Sequence, residues 1–116
     1  MEYRNLLEYE IAQLEASGCT ATNWNTVSVK DGFNPSCYIR VNFSGNVKLG
    51  NTRELFVRNG APVRSGIYDA TIHNCEIGDN VHINKIGEAI ANYRIGDNCY
   101  IANVNAMFAT GASSFG

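Results

Sequence analysis

Two histidines, His73 and His82, are the side chains of this 116-residue sequence whose unperturbed protonation range suits acid–base work near neutral pH. Each adjoins an isoleucine, Ile72 or Ile83. If those isoleucines point inward, strand alternation turns both imidazoles outward. An outward imidazole in a cleft can take a proton from an acceptor hydroxyl or amine; the same position suits an idle surface histidine. His73 is the stronger catalytic candidate, because it lies in the run His73-Asn74-Cys75 just after a turn-rich, arginine-bearing segment. That segment carries Arg53, Arg58 and Arg64 against one acid, Glu54. Three guanidiniums on one loop could clamp a phosphate, as in coenzyme A or a nucleotide-sugar; the plainer reading is a solvated loop.

Asp79 and Asp97 occupy equivalent positions, where they either bridge a cation or accept backbone hydrogen bonds. Cys19, Cys37, Cys75 and Cys99 form no Cys-x-x-Cys pair, so no metal site is expected, and they read as reduced, small apolar residues. Tyr68, Tyr93 and Tyr100 could line a groove or serve as ordinary outward strand residues.

The elements that would position these residues come from an internal repeat. Ile77-Gly78-Asp79-Asn80 recurs as Ile95-Gly96-Asp97-Asn98, a shift of 18 residues, and aligning 72–89 with 90–107 gives seven identities. Eighteen residues is three hexapeptides, the length of one coil of a triangular parallel β-helix. Each coil would place three aliphatic side chains inside, stacked as ladders Ile72/Ile90/Phe108, Ile77/Ile95 and Ile83/Ile101. Asn74, Asn80, Asn92 and Asn98 would take the corners, since Asn tolerates positive φ. Val41, Phe43, Val47 and Leu49 suggest an earlier coil, with an insertion of about ten residues leaving it between Asn51 and Gly66.

Ahead of the repeats, residues 5–17 are expected to form one helix, with Asn5 and Glu8 as a capping box, Leu7, Ile11 and Leu14 on one face, and Gly18 as the stop. A strand-like segment with Trp24, Val27 and Val29 follows. The organisation is therefore residues 1–38 as a helical capping segment and 39–116 as β-helical coils with a loop at about 51–66; Phe115-Gly116 reads as the opening of a further hexapeptide, as in a fragment of a longer protein or a chain whose end is covered by something else.

Composition sets the outer limits. One domain is the most that 116 residues allow, and 45% hydrophobic with 17% charged residues is an ordinary folded composition. A net charge of −2 argues against a general nucleic-acid binder. No apolar run approaches the ~18 residues of a membrane span. Met1-Glu2-Tyr3-Arg4 lacks the apolar core of a signal peptide, so a cytoplasmic location is expected.

The chain also resembles a large bacterial family, the domain of unknown function 4954. The resemblance rests on Glu10-Ile11-Ala12-Gln13-Leu14-Glu15, Gly18-Cys19, Trp24, Phe43-Ser44-Gly45, Ser65-Gly66-Ile67-Tyr68, His73-Asn74-Cys75 and Ile90-Ala91-Asn92-Tyr93. It implies a relation to hexapeptide-repeat transferases, and with it an all-β, left-handed parallel β-helix; the hand comes from the resemblance, not from the spacing. That superfamily is rich in acetyl-coenzyme A-dependent acyltransferases that work between subunits of a trimer. The implied function is acyl transfer to a sugar or sugar nucleotide, with acetyl-coenzyme A as donor, His73 as base, Arg53, Arg58 and Arg64 as ligand-binding residues, and a homotrimer as the assembly. The alternative from a different class is a non-catalytic β-helical scaffold or assembly module.

Overall fold

The computed structural model describes residues 3–53, 55–58, 60–102 and 107–115, the stretches 55–58, 61 and 107–115 by their backbone only. The order is β1 (Arg4–Asn5), α1 (Glu8–Ala16), β2 (Thr20–Ala21), β3 (Val27–Val29), β4 (Tyr38–Ser44), β5 (Val47–Leu49), β6 (Leu55–Arg58), β7 (Ala61–Arg64), β8 (Gly66–His73), β9 (Glu76–Ile77), β10 (His82–Asn84), β11 (Ile90–Ile95), β12 (Tyr100–Ala102) and β13 (Met107–Phe115). Eleven strands belong to one sheet, and β6 and β7 form a separate two-stranded sheet.

The core is made of cross-strand ladders. Val29 faces Leu49, Leu49 faces Ile77 and Ile77 faces Ile95. Phe43 faces Ile72 and Ile72 faces Ile90; Tyr38 faces Ile67, Ile67 faces Ile83 and Ile83 faces Ile101. All of these side chains are buried. The pairs Ile72/Ile90, Ile77/Ile95 and Ile83/Ile101 form at the 18-residue shift read from the repeat. Each buried isoleucine contributes about 1.5–3 kcal/mol relative to an exposed one. Phe108 does not extend its ladder: Ile90 pairs with Met107 and Ala91 with Phe108, and a register shift separates Ala91 from Tyr93.

The turns between ladders need a left-handed backbone. Asn74, Asn80, Asn92 and Asn98 all have positive φ, between 50° and 64°, as expected for the corners. At Gly45 (φ 67°) a Cβ would lie 1.9 Å from Asn74 Oδ1, so that turn needs both the glycine's backbone freedom and its lack of a side chain.

The expected left-handed parallel β-helix is not the architecture. The main sheet is mixed, since β1 runs antiparallel to β3; β6 and β7 pair antiparallel in a sheet of their own, and a short helix accompanies the strands. The physical reason is that the repeat specifies only how its own copies pair. The two residues joining β6 to β7 allow only an antiparallel return, and β1 lies outside the repeat altogether.

The helix is also shorter than the expected 5–17. Asn5 is drawn into β1 opposite Ser28, so Leu7, not Asn5, precedes the first turn. The residue that closes that turn is Glu10, whose Oε1 accepts from the Leu7 N–H at 2.8 Å. Of the three apolar residues assigned to one face, Leu14 is buried, Ile11 is half-buried and Leu7 is exposed; Glu10 takes the second buried place. Glu10 is tolerated there because Arg4 forks onto it, Nη1 to Oε1 and Nη2 to Oε2, both at 2.9 Å. That hydrogen bonding holds the Glu10 carboxyl below its ordinary pKa against the opposing effect of burial. Gly18 ends the helix at φ 84°, and the Arg40 N–H donates to Ser17 C=O, tying the helix end to β4.

Two outcomes are expected. Ile95→Asp places an unpaired charge in the ladder and should abolish the cooperative melt followed by circular dichroism. Glu10→Gln should lower stability at neutral pH by about 2 kcal/mol, discounted because Arg4 is partly exposed. The folded pKa of Glu10 is depressed, so its contribution is complete above the ordinary glutamate range and is lost as pH falls through the folded value. Wild type and Glu10→Gln should therefore converge in acid denaturation.

Candidate functional site

His73 lies at the end of β8 beside the β4 corner. Its Nδ1 is 2.8 Å from Ser44 Oγ and its Nε2 is 3.0 Å from Asn74 Nδ2. The Asn74 amide is oriented independently, because its Oδ1 accepts from the Asn46 N–H at 2.9 Å. Asn74 Nδ2–H therefore donates to Nε2, which leaves the neutral ring's proton on Nδ1, donating to Ser44 Oγ. His73, Ser44, Asn74 and Asn46 form one hydrogen-bonded corner joining two layers, in which the imidazole lone pair is already engaged.

His82 is not on the outside. It is 4% exposed, its Nδ1 sits 2.7 Å from Arg64 C=O, and its ring stacks on Tyr100 at 4.7 Å and 11°, with Tyr68 tilted at 5.5 Å. Strand alternation alone does not reveal this burial, because the cover comes from neighbouring layers: Gly66 and Tyr100 are its partners in register, and Arg64 C=O, Tyr68 and Tyr100 pack around the ring. Nε2 has no hydrogen-bond partner among the described residues. Tyr68 and Tyr100 thus flank a histidine, and Tyr93 packs against the core.

Two of the three arginines, Arg53 and Arg64, have described side chains, and both pack against residues 32–37. Arg64 Nη2 donates to Ser36 Oγ at 3.2 Å and lies 3.0 Å from Cys37 Sγ. The Arg53 guanidinium lies over Gly32, where a Cβ would meet its Nε at 2.5 Å. These two side chains hold the base of the β6–β7 hairpin against residues 32–37. The Arg58 side chain and Glu54 lie outside the described residues.

Asp79 and Asp97 act as backbone acceptors between layers. Asp97 Oδ1 accepts from the Asp79 N–H at 2.7 Å, and Asp79 Oδ1 accepts from the Asn51 N–H at 3.1 Å. Asp79 also holds Lys30 Nζ at 2.8 Å. Burial works against the Lys30 ammonium, but the Asp79 carboxylate outweighs it and raises the lysine pKa. Among the described residues no group of three His, Cys, Asp or Glu side chains could hold a metal ion. All four cysteines are free and buried, and burial pushes the Cys19, Cys75 and Cys99 thiols up.

A cleft of about 360 Å³ opens beside this corner, lined by Tyr3, Lys30, Glu76, Gly78, Arg94, Ile95, Gly96 and Asp97. The cleft is not legible as a whole in the sequence, since Tyr3 reaches it only through β1. One signal was available: Glu76 and Arg94 are the same repeat position with opposite charges, and in the structure they pair across β9 and β11 at 3.4 Å.

Removing Asp79 leaves Lys30 without its carboxylate and the Asn51 N–H without this acceptor. Asp79→Ala should cost about 2–3 kcal/mol in urea unfolding, against about 1 kcal/mol for Asp97→Ala, which loses one backbone bond. Equal costs would mean that Lys30 is indifferent to Asp79.

An uncharacterized protein of Treponema pallidum (strain Nichols) is 27% identical over 115 residues, covering 98% of this chain and 16% of that protein. The chain thus spans well under a quarter of the length of this relative. No solved structure matches the chain significantly. Among the described residues no helix is long and apolar enough to cross a membrane. A model of the family described as "Domain of unknown function (DUF4954)" matches residues 3–116, and the chain belongs to that family.

Proposed function

We propose that this chain is a non-catalytic structural module, a stack of strand layers that supports assembly within a longer protein. One observation carries the reading: the polar side chains best suited to chemistry are engaged in joining layers. His73 bonds Ser44 and Asn74. Asp79 and Asp97 cap backbone N–H groups of the neighbouring layer. Arg53 and Arg64 pack the hairpin base. The competing reading, acetyl-coenzyme A-dependent transfer to a sugar, needs His73 as a base, and the ring would have to surrender its bond from Asn74 to act as one.

The test is a chromatographic assay for free coenzyme A after incubation with acetyl-coenzyme A and amine or hydroxyl acceptors. Release should not exceed the uncatalysed rate. His73→Ala should leave that result unchanged while lowering stability by about 1–2 kcal/mol, the cost of emptying a bonded corner. Turnover that disappears in His73→Ala would overturn the structural reading.

A further inference from the structure

The cleft beside β9 and β11 has a composition that limits what it can hold. On one side is the Tyr3 ring, half-buried, with Lys30 Nζ 6.0 Å and Lys48 Nζ 5.3 Å from its centroid. On the other are Arg94 and Glu76, joined at 3.4 Å. Between them lies the corner at which Asp79 holds Lys30 at 2.8 Å and Asp97 accepts the Asp79 N–H at 2.7 Å. Among the lining residues two cations, Lys30 and Arg94, thus meet two carboxylates, Glu76 and Asp97. Lys30 and Arg94 each have a carboxylate close by, Asp79 and Glu76 respectively.

That balance decides the ligand class. An anion entering the cleft would compete with carboxylates already in place, and a cation with ammonium and guanidinium groups already in place. An apolar ligand would cover charged groups that need water or a partner. A neutral ligand with many hydroxyls does neither. It can accept from guanidinium N–H groups and donate to carboxylate oxygens while the ion pairs stay intact. The Tyr3 ring supplies an aromatic plane for the C–H face of such a ligand. Gly78 and Gly96 put no side chain into the space, and about 360 Å³ is near the lower end of the range for small-ligand sites. Burial, reinforced by Glu76, raises the Tyr3 pKa, so its phenol stays a neutral donor at physiological pH.

We propose that the cleft between Tyr3 and Arg94 binds a neutral, polyhydroxylated ring, a saccharide residue. This goes beyond the structural role and does not depend on it, because the cleft uses none of the His73 corner.

The test uses the chain itself with three neutral probes, methyl glucoside, methyl N-acetylglucosaminide and maltose, and inorganic phosphate as the charged control. Binding is read by saturation-transfer NMR and isothermal titration. At least one neutral probe should bind with a dissociation constant on the order of millimolar, with transfer strongest at ring C–H protons. Tyr3→Ala and Arg94→Ala should each weaken it about tenfold, and Tyr3→Phe less than about threefold. Raising salt from about 0.05 to about 0.5 M should change the affinity less than about twofold, because no net charge is neutralised. Arg94 is a 70% exposed side chain, so its replacement leaves the fold intact and the test remains decisive even if Tyr3→Ala perturbs β1. No binding by any neutral probe at about 100 mM, phosphate binding more tightly than all three, or saccharide binding unchanged in Arg94→Ala would each overturn the proposal.

Discussion

The rest of the structure depends on the requirement that aliphatic side chains of successive layers stack at a spacing near 4.8 Å. Ile72 on Ile90, Ile77 on Ile95 and Ile83 on Ile101 hold that register at three places in the chain. A slip of one residue would turn every one of these side chains away from the core. The register therefore dictates where the chain must turn, and the turns fall on Asn74, Asn80, Asn92 and Asn98, all with positive φ. Steric cost at these points explains asparagine better than any binding role does.

A second consequence is electrostatic. Parallel strands join through corners, and each corner leaves backbone N–H groups that the ladder does not satisfy. Asp97 accepts from Asp79 N–H, Asp79 from Asn51 N–H and Asn74 from Asn46 N–H. The polar side chains most suggestive of chemistry are thereby committed to structure. His73 belongs to the same pattern: its ring is one link in a chain of bonds from Ser44 to Asn46. Groups with capacity to spare lie instead on the outer row Lys48, Glu76 and Arg94, where alternating charge follows from the register.

The segment before the repeats solves a different problem. β3 would present an open backbone edge, and β1 pairs with it antiparallel. Two residues of pairing are too few to hold a strand unaided, and the Arg4–Glu10 fork supplies the anchor. The same anchoring carries Tyr3 over Lys30 and Lys48, so the cleft exists because the edge is covered.

What was legible in the sequence is what repeats. The 18-residue shift, the inward isoleucines, the corner asparagines and the equivalence of Asp79 and Asp97 were all readable, because each follows from a local period and from the steric demands of a turn. The overall architecture was not. Periodicity is blind to segments outside the repeat, and those segments supply the antiparallel β1–β3 pairing that makes the main sheet mixed and the separate β6–β7 hairpin. Nor was His82 legible as a buried residue, since its surroundings come from Gly66 and Tyr100, 16 residues before it and 18 after it. The helix start moved from Asn5 to Leu7 because a strand pairing with Ser28 outcompeted a local cap. The cleft lay furthest from view: Glu76 and Arg94 share a repeat position, but Tyr3 and Lys30 share no motif with them, and only the folded chain, by laying β1 along β3, brings the four to one place.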